Sequence, residues 1–292
     1  MTPVTLYHSA DTDAPQLANA QGSLKTLLKA CLVTGYGDKQ PLGWAMPFEE
    51  DNRAVFKPTD PKSTQPCLLV DNSKPKFATL QPYQKMTAIN QGTGFFGMNI
   101  ANSNNGYDKF GYINNQAQPK WWLIGHGAAF ILMIKQDNYD ISQMFHFGDV
   151  QGLGSNKTAL LLSNSDGREY LGGGNKFYSM QQSSGNVGVL SRSISNFAPT
   201  AARLIMSADV YNYRPSYPDP VTNGLIADVV HIMELQSNQY TIVASLSGFL
   251  GVFNDVSKVT EGTPIELDGD NDVWLKFSSA VNQHFLINAT QW

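Results

Sequence analysis

The stretch Trp121–Lys135 constrains the fold more than any other part of the chain. Trp121–Gly125 and Ala128–Lys135 are two nearly unbroken apolar runs of strand length, set around Gly125-His126-Gly127. A strand with one wet face alternates apolar and polar residues, so runs like these have to be covered on both faces. A hairpin of that kind belongs inside a layered β structure, with strands beside it and packing above and below. The remaining sequence supplies candidates. Arg53–Lys57, Cys67–Val70, Met144–Phe147, Ala159–Ser163, Arg203–Ala208 and Val229–Leu235 are β-prone runs, as are Tyr240–Ser245, Val273–Phe277 and Phe285–Ala289. Gly, Asn, Asp and Pro punctuate them, which predicts a mainly β protein.

One segment carries a helical period instead. Leu24, Leu27, Leu28, Cys31 and Leu32 fall on one face, with Lys25 and Lys29 on the other. Ser23 is the expected N-cap and Gly35 the expected stop, giving a short amphipathic helix over 23–34. The expected architecture is two β-rich lobes, sandwich- or barrel-like: residues 1–200 with the helix, and a smaller lobe over 201–292. Pro215, Pro218 and Pro220 make Tyr213–Val221 a stiff connector ahead of the final lobe. Gln91–Lys120 and Gly172–Ala198 show no period and read as long loops, suited to reaching neighbouring subunits.

Charge narrows the function classes. Only 15% of the 292 residues are Asp, Glu, Lys or Arg, against roughly 25% in an ordinary soluble protein. The net charge is −4 and no run of Lys or Arg occurs, which argues against nucleic acid and against a basic membrane-surface helix. The surface polarity comes from Asn, Gln, Ser, Thr and Gly, and favours close contact with neighbours. Met1–Asp13 lacks the basic-then-apolar pattern of a secretion signal, and the apolar stretch Ala128–Ile134 is too short for a bilayer-spanning helix. Folding in a cytoplasm is the expectation. Cys31 and Cys67 make no disulfide framework, and the sequence leaves open whether they pair.

The chemical motifs are weak. Gly92-Thr-Gly94-Phe-Phe-Gly97 matches GxGxxG but opens no recognisable helix, so it reads as a loop. Gly152–Thr158 lacks the glycine that should precede the lysine of a phosphate loop. His8, His126, His146, His231 and His284 show no metal-ligand spacing, and there is no CxxC. His126 reads as a turn residue and His231 as a hydrogen-bonded sheet histidine. Asp268-Gly-Asp270-Asn-Asp272 offers oxygen ligands to calcium but fails the EF-hand pattern, so it reads as a turn. No GxSxG elbow occurs, and Glu49-Glu50-Asp51 reads as a solvated turn. Trp44, Trp121, Trp122, Trp274 and Trp292 suit cores, interface anchors or sugar platforms alike. A terminal aromatic such as Trp292 calls for a place to be buried. No catalytic, cofactor-binding or metal-binding residue is assigned.

The order of several segments resembles a family of virion structural proteins encoded in tail or particle-assembly regions of tailed phages and prophages of Gram-negative bacteria. The similarity runs from Tyr7-His8-Ser9 through Ala14-Pro15, Gly22-Ser23-Leu24 and Cys31–Gly37 to Gly43-Trp44 and Asn52–Phe56. It continues at Leu69-Val70-Asp71, Met86-Thr87, Gly92-Thr93-Gly94, Trp122 and Phe147-Gly148-Asp149. It closes on Tyr217–Val221, Gly224-Leu225, Leu246–Gly251 and a strand ending in Trp292. The chain departs from the family pattern after Asp71, where it has Asn72-Ser-Lys-Pro75 in place of a Thr/Gly-rich turn, and only partly echoes it over Leu246–Gly251. The resemblance implies a non-enzymatic virion subunit without cofactor, assembled in the host cytoplasm as a symmetric homo-oligomer with other phage structural proteins. The tail or tail tip is the expected station. A head decoration or head-to-tail joining protein, or a module binding a host-surface glycan or receptor, is the alternative.

Overall fold

The computed structural model describes residues 1–75, 77–96, 108–111, 118–135, 142–152, 157–163, 188–190, 200–205, 215–236, 239–267, 269, 271–280 and 283–292. Its strands are β1 (Thr5–His8), β2 (Ala45–Glu49), β3 (Arg53–Lys57), β4 (Cys67–Asp71), β5 (Phe77–Ala88) and β6 (Gln91–Phe95). Then follow β7 (Asp108–Gly111), β8 (Lys120–His126), β9 (Ala129–Lys135), β10 (Ser142–Gln151), β11 (Lys157–Ser163) and β12 (Gly188–Leu190). The last six are β13 (Thr200–Ile205), β14 (Ala227–Gln236), β15 (Gln239–Val252), β16 (Pro264–Glu266), β17 (Val273–Ala280) and β18 (Gln283–Asn288). A helix, α1 (Ser23–Lys29), precedes β2. The protein is mainly β.

The strands form two antiparallel sheets. The larger has the order β1-β8-β9-β10-β11-β12-β13-β14-β15-β18-β17-β16, and the smaller β2-β3-β4-β5-β6 with β7 beside the first half of β5. The central hairpin is β8 and β9, paired from Lys120↔Lys135 to His126↔Ala129 across the turn Gly127-Ala128. Its lack of alternation has a direct cause. Trp121, Leu123, Phe130, Leu132 and Ile134 face a core shared with α1 and the smaller sheet. Ile124, Ile131 and Met133 face a second core, built with Val230, Ile232, Ala244, Leu246, Phe277 and Phe285. Each face is therefore dry, and each buried methylene contributes about 0.8 kcal/mol.

The larger sheet runs straight through residue 200. Leu190 pairs with Thr200 in β12–β13, and Leu204 pairs with Ile232 in β13–β14. The second core likewise draws on residues from both sides of the expected division at Ala201. The chain ends meet as well: Trp292 N–H donates to the Thr2 carbonyl (2.8 Å), Thr2 N–H to the Trp292 carbonyl (2.6 Å), and Pro3 bridges Gln291.

The helical residues cover the expected 23–34, but the cap differs from expectation. Gly22 enters it with φ 73°, so Ser23 is already helical and its hydroxyl accepts from the Ala18 N–H instead (2.8 Å). The cap comes from a buried side chain 48 residues away: Asn72 Oδ1 accepts from the N–H groups of Leu24 (2.8 Å) and Lys25 (3.4 Å). Asn72 Nδ2 donates to the carbonyls of Lys74 and Phe77, which holds the amide in place. After Lys29 the chain widens into a π-turn, Ala30–Thr34, before Gly35 leaves it at φ 75°. Carbonyls that would otherwise be orphaned at the helix end then accept from the next segment, Cys31 from Leu42 (3.0 Å) and Leu32 from Trp44 (2.9 Å).

The stretch Gln91–Lys120 is not wholly loop. It opens with β6 and contains β7, both laid along β5. Gly92-Thr-Gly94 reads as a loop from local propensity alone, but β5 supplies a template whose ladder overrides it. Residues 172–187 and 191–198 of the other aperiodic stretch lie outside the described residues.

Candidate functional site

The described residues of the two glycine motifs sit on or beside sheet strands. Gly92 and Gly94 are residues of β6, where a side chain at Gly92 would collide with the Tyr83 ring and one at Gly94 with Gln84. Gly97 lies outside the described residues. Gly152 forms a bridge with Ala244, and Lys157 begins β11 with its ammonium donating to the Lys62 carbonyl (3.2 Å). Gly154, Ser155 and Asn156 lie outside the described residues.

Each histidine has a structural neighbourhood. His8 Nδ1 accepts from Ala10 N–H (3.1 Å), and its Nε2 lies 3.3 Å from Asp11. His126 ends β8, and its Nδ1 accepts from Ala128 N–H (3.2 Å) across the hairpin turn. His231 meets the Ser245 hydroxyl across the β14–β15 ladder at 3.0 Å, as a sheet histidine should. His146 is 2% exposed, and its Nδ1 has no hydrogen-bond partner. Burial pushes its pKa down to about 3, with His126 adding to the effect and the Leu160 carbonyl opposing it. It is a neutral imidazole in the second core.

The acidic turn has become part of a side-chain tie. Asp272 is buried, with Asn288 Nδ2 donating to Oδ2 (2.7 Å) and Gln291 Nε2 lying 3.0 Å from Oδ1. Asp268 and Asp270 lie outside the described residues. Among the described residues, no group of three His, Cys, Asp or Glu side chains is placed to hold a metal ion. Glu49 is more than a solvated turn residue: it ends β2 and receives Lys25 (3.0 Å) and Lys29 (2.9 Å) from α1. Hydrogen bonds from Lys29 and then Lys25 hold its carboxyl below the usual range. Cys31 and Cys67 are both free and buried, and burial raises both thiol pKa values.

One constellation escaped sequence reasoning, because its members are scattered between residues 255 and 284. Ser278 Oγ lies 2.9 Å from His284 Nδ1, and His284 Nε2 lies 3.9 Å from Asp255 Oδ1. Nucleophile, base and orienting acid would stand in that order in a hydrolase. Ser278 is only 3% exposed, and 3.9 Å is longer than a hydrogen bond. Beside it, Lys276 donates to Glu261 Oε1 (2.7 Å) and the Val259 carbonyl (2.8 Å), while Ser278 N–H donates to Glu261 Oε2 (2.8 Å). These groups pin the segment before β16 onto β17. A lysine inside the run Trp274–Phe277 is the sequence signal that a buried partner exists.

The tryptophans serve packing. Trp44, Trp121 and Trp274 are buried, and the first two donate their indole N–H groups to the carbonyls of His126 (3.1 Å) and Pro15 (3.0 Å). Trp122 and Trp292 are half-buried, and each presses on a glycine, Gly262 and Gly248, where no side chain would fit. Trp292 packs on two histidines: its ring lies 5.5 Å from His126 and 6.3 Å from His146, and its indole donates to the Asn288 carbonyl (2.9 Å).

No family model matches the chain, and no curated protein matches it in sequence.

Proposed function

We propose that this chain is a non-enzymatic structural subunit of a bacteriophage particle, working in the tail or tail tip through contacts between subunits. The observation that carries the reading is the job done by the residues on which the resemblance rests. Trp44 ties the β2 entry to the central hairpin through its indole N–H. Asp149 accepts from the backbone N–H of Thr64 (2.8 Å) and from its hydroxyl, joining β10 to the segment before β4. Asp219 Oδ1 accepts from the N–H groups of Val221 (3.0 Å) and Thr222 (2.8 Å), closing the turn after Pro218. Gly248 seats Trp292. Residues that recur in order along such a sequence and all build shape suit a protein whose task is shape.

The low charge supports the same reading. A neutral polar surface has little self-repulsion and desolvates cheaply against a neighbour, which favours assembly into closed symmetric oligomers. The test is deletion of the gene from the phage or prophage that carries it, followed by electron microscopy of the lysate. The reading predicts particles with defective or missing tails, restored by supplying the chain in trans. Normal, infectious particles after deletion would contradict it.

A further inference from the structure

Ahead of β14 the chain makes a closed loop whose two ends are held by one buried side chain. Asn254 donates through Nδ2 to the Ser216 carbonyl (3.0 Å) and accepts at Oδ1 from the Ile226 N–H (2.6 Å). Inside the loop, the backbone of Asp219 closes a smaller turn. The Asn223 N–H donates to the Asp219 carbonyl (2.7 Å), and the Asp219 N–H donates to the Gly224 carbonyl (2.9 Å). The tip thus carries Asn223 followed by Gly224, with Asn223 left-handed at φ 55°, a conformation that asparagine tolerates better than most side chains.

Three features set this asparagine apart. It is exposed, and among the described residues it is the only asparagine followed by glycine; Asn19 and Asn90, exposed as well, precede Ala20 and Gln91. Among the described residues no hydrogen bond engages the Gly224 N–H. The space around Gly224 is open, since a methyl added there would meet only Thr222, at 3.8 and 3.9 Å. A backbone nitrogen that is unbonded, and not shielded by a side chain on its own residue, can reach the side-chain amide of the residue before it.

We propose that Asn223–Gly224 is a self-modification site, where the folded chain converts Asn223 to aspartate and isoaspartate without an enzyme, at a rate governed by the Asp219 turn. The Gly224 nitrogen gives up its proton to water and attacks Cγ of Asn223. The side-chain nitrogen takes up a proton and leaves as ammonia, which closes a five-membered imide. Water then opens the ring at one of its two carbonyls. Breaking the bond between the Gly224 nitrogen and Cγ yields aspartate. Breaking its bond to the main-chain carbonyl carbon yields isoaspartate, with the chain routed through the side chain. One water enters and one ammonia leaves. Attack requires the peptide between Asn223 and Gly224 to rotate, and the two hydrogen bonds to the Asp219 backbone resist that rotation, so the step proceeds from the locally opened turn. The product carries a new negative charge at the tip, and the isoaspartyl form lengthens the backbone there, while the Asn254 clamp keeps the change within the loop.

Incubation of the purified full chain in mildly alkaline buffer, below its unfolding temperature, tests this. The readouts are peptide mass spectrometry at mildly acidic pH and enzymatic methylation of isoaspartate. The peptide carrying Asn223 is expected to exchange the mass of an amide for that of an acid and to accept methyl groups, while Asn19 and Asn90 stay intact. Gly224→Ala, whose added methyl has room, is expected to keep the native circular dichroism spectrum and to slow the conversion about tenfold. Asp219→Ala, which loosens the turn, is expected to speed it severalfold. An Asn223 that stays intact through an incubation that fully converts a free peptide of residues 219–227 would overturn the assignment, as would an unchanged rate in Gly224→Ala. An unchanged rate in Asp219→Ala would overturn the part given to the turn. The particle-subunit reading is judged on particle morphology and stands apart from each of these outcomes.

Discussion

At the residue scale, buried polar groups that fasten distant segments carry much of the specificity of this fold. Asn72 is the clearest, since one amide caps α1 and closes the turn after β4. Asn72→Ala removes the cap and strands two carbonyls, and is expected to destabilise the protein by about 2–3 kcal/mol in urea unfolding. Lys276 and Glu261 form a pair with side chains 2% and 8% exposed. Lys276→Ala leaves a buried carboxylate without its cation and should cost about 3–5 kcal/mol, whereas replacing both partners with apolar residues of similar volume should cost far less. Equal losses in the single and double variants would refute this account. His146 gives a pH signature. The unfolded chain takes up a proton at this residue near pH 6.5, and the folded chain resists it down to about pH 3. Unfolding therefore binds a proton in that window, and stability falls as pH drops through it. Unfolding midpoints measured between pH 7 and pH 5 should decline in the native chain and decline less in His146→Leu.

At the scale of elements, legibility followed how local the cause was. The β8–β9 hairpin was readable because two dry faces leave a mark on every residue of both strands. The helix was readable from its apolar face, but not its cap, because Asn72 is brought to Gly22 by the smaller sheet rather than by sequence proximity. The strands β5 and β6 were missed for a related reason. Phe77–Ala88 mixes Gln, Lys and Pro82 with its apolar residues, and Gln91–Phe95 is strand only because β5 lies beside it. The Ser278–His284–Asp255 line was invisible, since pairing of β17 with β18 sets Ser278 opposite His284, and the Lys276–Glu261 pair showed only its lysine, since Glu261 arrives with the segment folded onto β17. The buried cysteines yield an element-level check: Cys31 lies in the π-turn and Cys67 in β4. Neither thiol is expected to react with an aromatic disulfide reagent in the native state, and both should react on unfolding. Rapid labelling of the native chain would show that these elements open.

At the scale of the whole molecule, a single large sheet wraps the second core and continues through residue 200. Its strands β8 to β11 also wall the first core, against α1 and the smaller sheet. Few charges suit a unit that works against neighbours. The central claim is that it does so inside a phage particle. Quantitative mass spectrometry of particles purified from the phage or prophage that encodes it tests this directly, by counting copies of the chain against the major capsid protein. The account predicts a few to about a dozen copies per particle, the stoichiometry of a closed ring in a tail or its tip. Hundreds of copies would move the chain to the head surface, and its absence from the particles would contradict the account.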